Sequence, residues 1–383
     1  GVMQNYYMEH GTFSGEKNLM IQLTCIGALY NLLIGCGIVI GTLLNLYLSY
    51  RSILVIGILL ISGGLLFSSF VPMAGPLFLT FGICCGIGTG LVYTIGYRLI
   101  PEWFFKYRST AIGMFISTIP LGGMILPLII NKLNNELGHI WTYRIHCLIV
   151  FVTGLIGYPL IKENGFSKTK NNKKQEARRR IQDTFDIRLF KNVNFTLWII
   201  LSPIYTFSMY ITSSFIPSYA TYLGLSDVQG ALGVTVLCAS GVVGCVMNGF
   251  LGDRFGDLNI FIIFMTIAAL TIFLIWVFAH TQTMLLVFCA LHGFVYLSYF
   301  TTSSPILIYI VGIDNYPSAL NFRALGACLS IFGPFLGSYL DSLHTNMEPY
   351  FYIKIVAGSG YALCALFALI IRVRTSLNIF TKM

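Results

Sequence analysis

The sequence predicts an all-α polytopic membrane protein, and three observations carry that reading. About eleven apolar stretches, each roughly twenty residues or longer, run through the 383 residues, and each can cross ~30 Å of hydrocarbon as a helix. The chain is 56% hydrophobic and 10% charged, with a mean hydropathy of +0.79, whereas a soluble core of this length needs far more charge to cover its surface. Finally, one basic, apolar-poor stretch from Lys162 to Lys191 leaves five apolar stretches before it and six after it.

In chain order, helices are predicted over 20–46, 53–71, 77–98, 109–130 and 143–161, and then over 195–217, 228–250, 259–279, 283–311, 319–341 and 350–371. Their connections are short and carry turn chemistry, as in Pro72-Met73-Ala74-Gly75-Pro76 and in the stretch from Thr345 to Pro349. Short links make neighbouring helices antiparallel, so successive connections alternate sides. The division expected is an N-terminal bundle over 1–161, a basic linker over 162–192 and a six-helix C-terminal bundle over 193–383.

Charge sets the orientation. Placing the linker in the cytoplasm also places Arg51, Arg98, Lys106, Arg108, Arg254, Arg323, Arg372, Arg374 and Lys382 there. Nineteen of the 23 basic residues then share one side, leaving Lys17, Lys132, Arg144 and Lys354 on the other. The net charge of +9 does not imply nucleic acid as a partner. About ten of the basic residues, among them Lys173, Lys174 and Arg178–Arg180, lie in the linker rather than on a folded groove. The triplet Asn194-Phe195-Thr196 falls on the cytoplasmic side and is expected to be unmodified. Gly1 to Lys17 is mixed and polar, without the pattern of a cleavable signal.

Several function classes find no support. The ten cysteines lie in apolar stretches, where they act as small hydrophobes, and none stands at metal-ligand spacing. No glycine-rich phosphate loop with a lysine is present, and no paired acids or Ser/His/Asp set lies within the spans. Neither an enzyme nor a cofactor is expected.

An internal repeat links the two halves. Gly41-Thr42-Leu43-Leu44-Asn45, followed by Arg51, corresponds to Gly249-Phe250-Leu251-Gly252-Asp253-Arg254-Phe255-Gly256-Asp257. In both, a glycine stands four residues before a short polar side chain at a cytoplasmic turn. The second copy resembles the gating signature of the major facilitator superfamily, whose architecture is a pair of six-helix repeats. That resemblance implies glycines for close helix approach, an Asp253 that accepts hydrogen bonds from a neighbouring helix N-terminus, and an Arg254 that pairs with acids. Asn45 replaces the acid in the first copy.

Finer features resemble the monocarboxylate transporter family, in particular its fungal monocarboxylate/riboflavin transporter-like branch. They are Pro101-Glu102-Trp103-Phe104-Phe105-Lys106-Tyr107-Arg108 with Ala111, Gly113, Gly122 and Gly123; Gly333-Pro334-Phe335-Leu336-Gly337 with Asp341; and Gly1-Val2 through Tyr6-Tyr7-Met8-Glu9. The last stretch is similar to the end of that family's helix 1, so the first half of that helix is expected to be missing. The mammalian members carry an Asp and an Arg on helix 8. Here the matching stretch, Ala239 to Asn248, has no charge, and a mammalian-type proton–lactate mechanism is not implied.

Charge inside a membrane is costly, which singles out ionisable groups within spans. His292 is the one placed well inside, as a protonation site or as a neutral packing residue. Arg98 either meets an anionic solute or anchors the interface, and Arg144 with His146 either funnels anions or anchors the opposite interface. Tyr205, Tyr210, Thr212, Ser213 and Ser214 cluster in one span, with Tyr296, Tyr299, Thr301 and Thr302 in another. They suit a neutral or weakly charged planar solute, or ordinary packing with hydroxyls bonded back to their own helices. Pro203, Pro217 and Pro305 are expected to kink these helices.

The expected function is secondary transport of a small organic solute, monocarboxylate-like or vitamin-like, by alternating access. The drive is a proton gradient or the solute's own gradient. The alternative is a non-transporting receptor or sensor, or a degenerate remnant of such a transporter. The expected partners are the solute, protons and membrane lipid, in the plasma membrane rather than the vacuolar membrane.

Overall fold

The computed structural model describes residues 2–10, 13, 19–162, 184–328, 332, 333, 337, 339 and 349–375. Most of the basic stretch, including Lys173, Lys174 and Arg178–Arg180, lies outside the described residues, as do Gly1, Pro334–Leu336 and Asp341. Among the described residues the chain is helical, without strands. The helices are α1 (Val2–Glu9), α2 (Leu19–Leu44), α3 (Tyr50–Ser68), α4 (Phe78–Trp103), α5 and α6 (together Arg108–Leu160), α7 (Val193–Tyr222), α8 (Asp227–Phe255), α9 (Asp257–Trp276), α10 (Gln282–Val311), α11 (Tyr316–Cys328) and α12 (Phe351–Thr375). Nine helical segments among them are long and apolar enough to span a membrane.

Four stretches depart from the sequence reading. A loop was expected near residues 131–142, but the helix continues through it and breaks at Gly138 alone (φ 79°, ψ 166°). Glycine enters that region without a Cβ clash, and the exposed Lys132–Glu136 pair at i, i+4 extends α5 up to the break. The expected span at 283–311 is α10, but it is two helices, Gln282–Val295 and Ser298–Val311, interrupted at Tyr296–Leu297. Proline does not make that break, because Pro305 sits inside the second piece about two turns later. Lastly, α4 opens with a π-helical stretch, Phe78–Cys85, and α9 closes with another, Ile272–Trp276.

The described chain sorts into two compact units. Unit 1 is Gly1–Trp103 with Ile125–Phe185, and unit 2 is Phe104–Met124 with Asp186–Met383. The first half of α5 thus belongs to unit 2 and the rest of it to unit 1. Lipid tails are as apolar as leucine, so close packing rather than water exclusion holds such helices together.

In unit 1, α2 and α4 meet backbone to backbone. A Cβ on Gly37 would lie 2.5 Å from the Ile87 carbonyl oxygen, and one on Gly90 would lie 2.6 Å from the Gly37 Cα. Thr94 seals the seam by donating to the Ile38 carbonyl at 3.1 Å. At one end, Arg51 Nε donates to the Ile161 carbonyl at 2.8 Å and Trp103 Nε1 donates to that of Lys162 at 3.0 Å, so α3 and α4 hold the two residues that follow α6. At the other end the Tyr7 hydroxyl donates to that of Tyr143 at 3.2 Å, holding α1 on α6.

In unit 2, Gly244 of α8 and Gly293 of α10 bring those helices together, since a Cβ on either would overlap the partner helix. Ser226 and Gln229 form a capping box that starts α8. The last linker residues are tied down as well: the Asp186 amide donates to Ser318 Oγ at 2.9 Å, and Ile187–Lys191 make one 3-10 turn before α7.

Candidate functional site

Unit 2 holds two constellations. The first is the α8–α9 turn. Asp253 accepts from the Ser109 amide at 3.1 Å, the Thr110 amide at 2.8 Å and the Thr110 hydroxyl at 2.6 Å. Because α5 begins at Arg108, these amides are unpartnered donors of its first turn, at the positive end of the helix dipole. Asp253 therefore caps α5 from another helix, with charge-assisted bonds each of which contributes about 1.5–3 kcal/mol.

The glycines make this capping possible. Gly249 lies one turn before Asp253 on the same face of α8, and a Cβ there would overlap the Ser109 carbonyl. Gly256 adopts φ 93°, the turn that joins α8 to α9. Arg108 is near enough to Asp257 and Asp253 to interact with both carboxylates. The exposed Arg254 guanidinium lies over the Phe255 ring at 5.4 Å.

The first-half copy is built differently. Asn45 hydrogen-bonds Tyr50 within the α2–α3 turn, and Tyr50 donates to Glu102 Oε1 at 2.8 Å with Arg98 nearby. Arg51 is spent on the end of α6, as described, with its guanidinium 5.8 Å from the Tyr158 ring. The two motif copies match in spacing, but Asp253 caps a distant helix and Asn45 serves its own turn.

The second constellation is an aromatic column. Trp198 stacks on Tyr299 at 5.5 Å, Tyr299 lies 4.8 Å from Tyr205, and Tyr205 meets Tyr361 at 6.0 Å. From Tyr361 the column passes to His292 at 5.3 Å, Phe288 at 5.1 Å and Trp276 at 5.0 Å. The Tyr205 hydroxyl donates to the Tyr296 carbonyl, and the Phe300 amide turns instead to Leu297 at 3.1 Å. A side chain from α7 thus takes one of the carbonyls that would continue the α10 ladder at the break. Asn248 of α8 donates to Ser298 Oγ at 2.6 Å, where α10 resumes.

Of the predicted residues, Tyr205, Tyr296 and Tyr299 come together at this break, all buried. Thr212, Ser213 and Thr302 bond back to Ser208, Tyr210 and Ser298 of their own helices. Tyr210 lies further along α7, and Arg98 belongs to unit 1. His292 is fully buried, with Nδ1 3.0 Å from Thr271 Oγ1 and Nε2 unpartnered among the described residues. It is wrapped by α9, α10 and α12, an environment that suits packing.

Among the described residues, three ionisable side chains besides His292 are buried near the ends of spans. Lys354 is 3% exposed in α12, with its Nζ donating to the Tyr219 hydroxyl at 2.8 Å and lying 4.0 Å from the centre of that ring. Arg323 and Arg372 are buried too. The signal was present, since all three fall within or at the edge of predicted spans. The charge pattern places Arg323 and Arg372 on the cytoplasmic side and Lys354 on the other, where arginine and lysine usually reach water, yet all three are buried. Trp198, Asn248 and Tyr361 were missed for lack of any local pattern.

The sequence profile of the Major Facilitator Superfamily matches residues 17–249 and 229–379. The chain belongs to the major facilitator superfamily. Its fold agrees: the E. coli fucose:proton symporter FucP superposes with a TM-score of 0.69 at 16% identity, over 97% of this chain and 95% of that one. Among superfamily relatives, an MFS-type transporter of Gibberella moniliformis is 26% identical over 69% of this chain. The probable transporter MCH2 of Saccharomyces cerevisiae is 24% identical over 93% of this chain and 74% of its own length. The riboflavin transporter MCH5 of the same yeast is 25% identical over 64% of this chain. The chain spans 62% of the length of the Gibberella protein and 50% of MCH5.

Proposed function

We propose that this superfamily member is a secondary transporter that carries a small organic solute, monocarboxylate-like or vitamin-like, by alternating access. The observation that carries the reading is the Asp253 cap on α5. The cap grips the first turn of a helix whose two halves belong to different compact units. Making or breaking it biases any movement that α5 transmits, and the bonds it forms are strong enough to shift such an equilibrium.

The relatives named for riboflavin and fucose transport support small organic molecules as the solute class. We assign solute contacts to Tyr205, Tyr296 and Tyr299, where the interrupted α10 exposes backbone groups to neighbouring side chains. They are buried in this conformation, and alternating access requires another in which the solute reaches them. The drive is a proton gradient or the solute's own gradient, in the plasma membrane.

An uptake screen of radiolabelled monocarboxylates and vitamins in cells expressing the chain tests the reading. At least one solute is expected to enter faster than in control cells, and Asp253→Asn is expected to slow its entry at equal protein level. Uptake of every solute at the control rate would sink the proposal.

A further inference from the structure

We propose that unit 1 holds a binding site for a small organic anion with a flat apolar body, with the anionic group on Arg144. The site is a cavity of about 370 Å³ where α3 turns toward α4 and α5 meets α6. That volume falls in the range of ligand pockets, roughly 300–1,000 Å³. Phe13, Pro72 and Ile140 form apolar walls, and Ser69, His139 and Arg144 supply the polar groups.

Arg144 is held in advance. Its guanidinium carbon lies 5.0 Å from the Phe70 ring centre and 5.1 Å from that of Trp141, and its Nε donates to Ser69 Oγ at 3.4 Å. Neither terminal amino group has a hydrogen-bond partner among the described residues, and no acid pairs with the side chain there. Two parallel N–H groups at the end of a fixed, planar cation match a carboxylate or sulfonate edge-on. Because two rings and a hydroxyl already fix the fork, little side-chain freedom is lost on binding.

His139 adds a second polar contact. Its ring lies 5.6 Å from Tyr7 and 6.0 Å from Tyr6. The neutral ring offers one N–H and one acceptor nitrogen. The apolar walls then favour a ligand whose body stacks or packs, rather than a bare inorganic ion. The competing role for Arg144 and Trp141 is anchoring at the membrane interface, which requires no ligand.

Calorimetric titration of the purified full chain decides between them, with benzoate, benzamide and acetate as probes. Benzoate is expected to bind at least about tenfold tighter than benzamide, which lacks the charge, and than acetate, which lacks the flat body. Arg144→Gln should lose that preference for benzoate over benzamide. Ile140→Trp fills the cavity from its apolar wall while leaving Arg144 in place, and should abolish benzoate binding at an unchanged melting temperature. That variant decides the matter if Arg144→Gln does not fold. Equal affinity for benzoate and benzamide, no benzoate binding by the wild-type chain, or wild-type affinity in Ile140→Trp would overturn the proposal. Binding is measured without transport, so this site and the transport reading stand or fall separately.

Discussion

Asp253 and Asn45 occupy matching places in two copies of one motif, yet only the acid caps a helix outside its own helix–turn–helix. A carboxylate accepts three hydrogen bonds from the start of α5, whereas an amide oxygen carries no net charge to stabilise there. Asp253→Asn keeps the shape and removes the charge. It should impair transport with little loss of protein, by a bias of ~1–3 kcal/mol on the conformational equilibrium. Wild-type uptake by that variant would count against a gating role. For His292, the enclosing Thr271, Phe288 and Tyr361 favour packing over proton coupling. His292→Gln is therefore expected to lower the melting temperature in detergent while leaving accumulation driven by a pH gradient in place. Loss of that accumulation with downhill exchange intact would make His292 the coupling residue instead.

Helix α10 is interrupted at Tyr296–Leu297, and a side chain from α7 sits at the interruption. Tyr205→Phe removes the hydroxyl that takes the Tyr296 carbonyl and leaves the ring against Tyr299. The Phe300 amide can then return to Tyr296, so the break should tighten toward regular helix. Hydrogen exchange at Phe300 is the measurement, and slower exchange in the variant is the expected result. The α5–α8 contact is under a stricter constraint. Gly249→Ala places a methyl against the Ser109 backbone, an overpacking that should cost about 1–3 kcal/mol and lower the melting temperature by several degrees. An unchanged melting temperature would mean that α5 is free to move away. These elements also mark how far pattern reading reaches. Glycine and acid at a spacing of four flagged the α8–α9 turn, because one helical turn puts both on one face. Nothing local in Tyr296–Leu297 flags a break at which a side chain from α7, ninety-one residues away in sequence, takes a backbone carbonyl.

For the whole molecule, topology is the open test. Cysteine introduced at Asn135 should react with a membrane-impermeant maleimide in intact cells, and cysteine at Asn172 should not. The asymmetry of basic residues motivates this, with nineteen of 23 on one side. Equal reactivity from outside would reverse or void the orientation. The sequence by itself determined the class, the helical content and the approximate spans, because hydrocarbon leaves the backbone few ways to satisfy its polar groups and imposes one length on every crossing. It also located the α8–α9 motif, whose residues Gly249 to Asp257 are nine consecutive positions. Only the tertiary structure decided which helix Asp253 caps, which candidate tyrosines meet, and that Lys354 is buried against Tyr219 rather than turned to water. Those outcomes depend on neighbours brought close by packing, and in an apolar solvent many alternative faces of one apolar helix read alike in sequence.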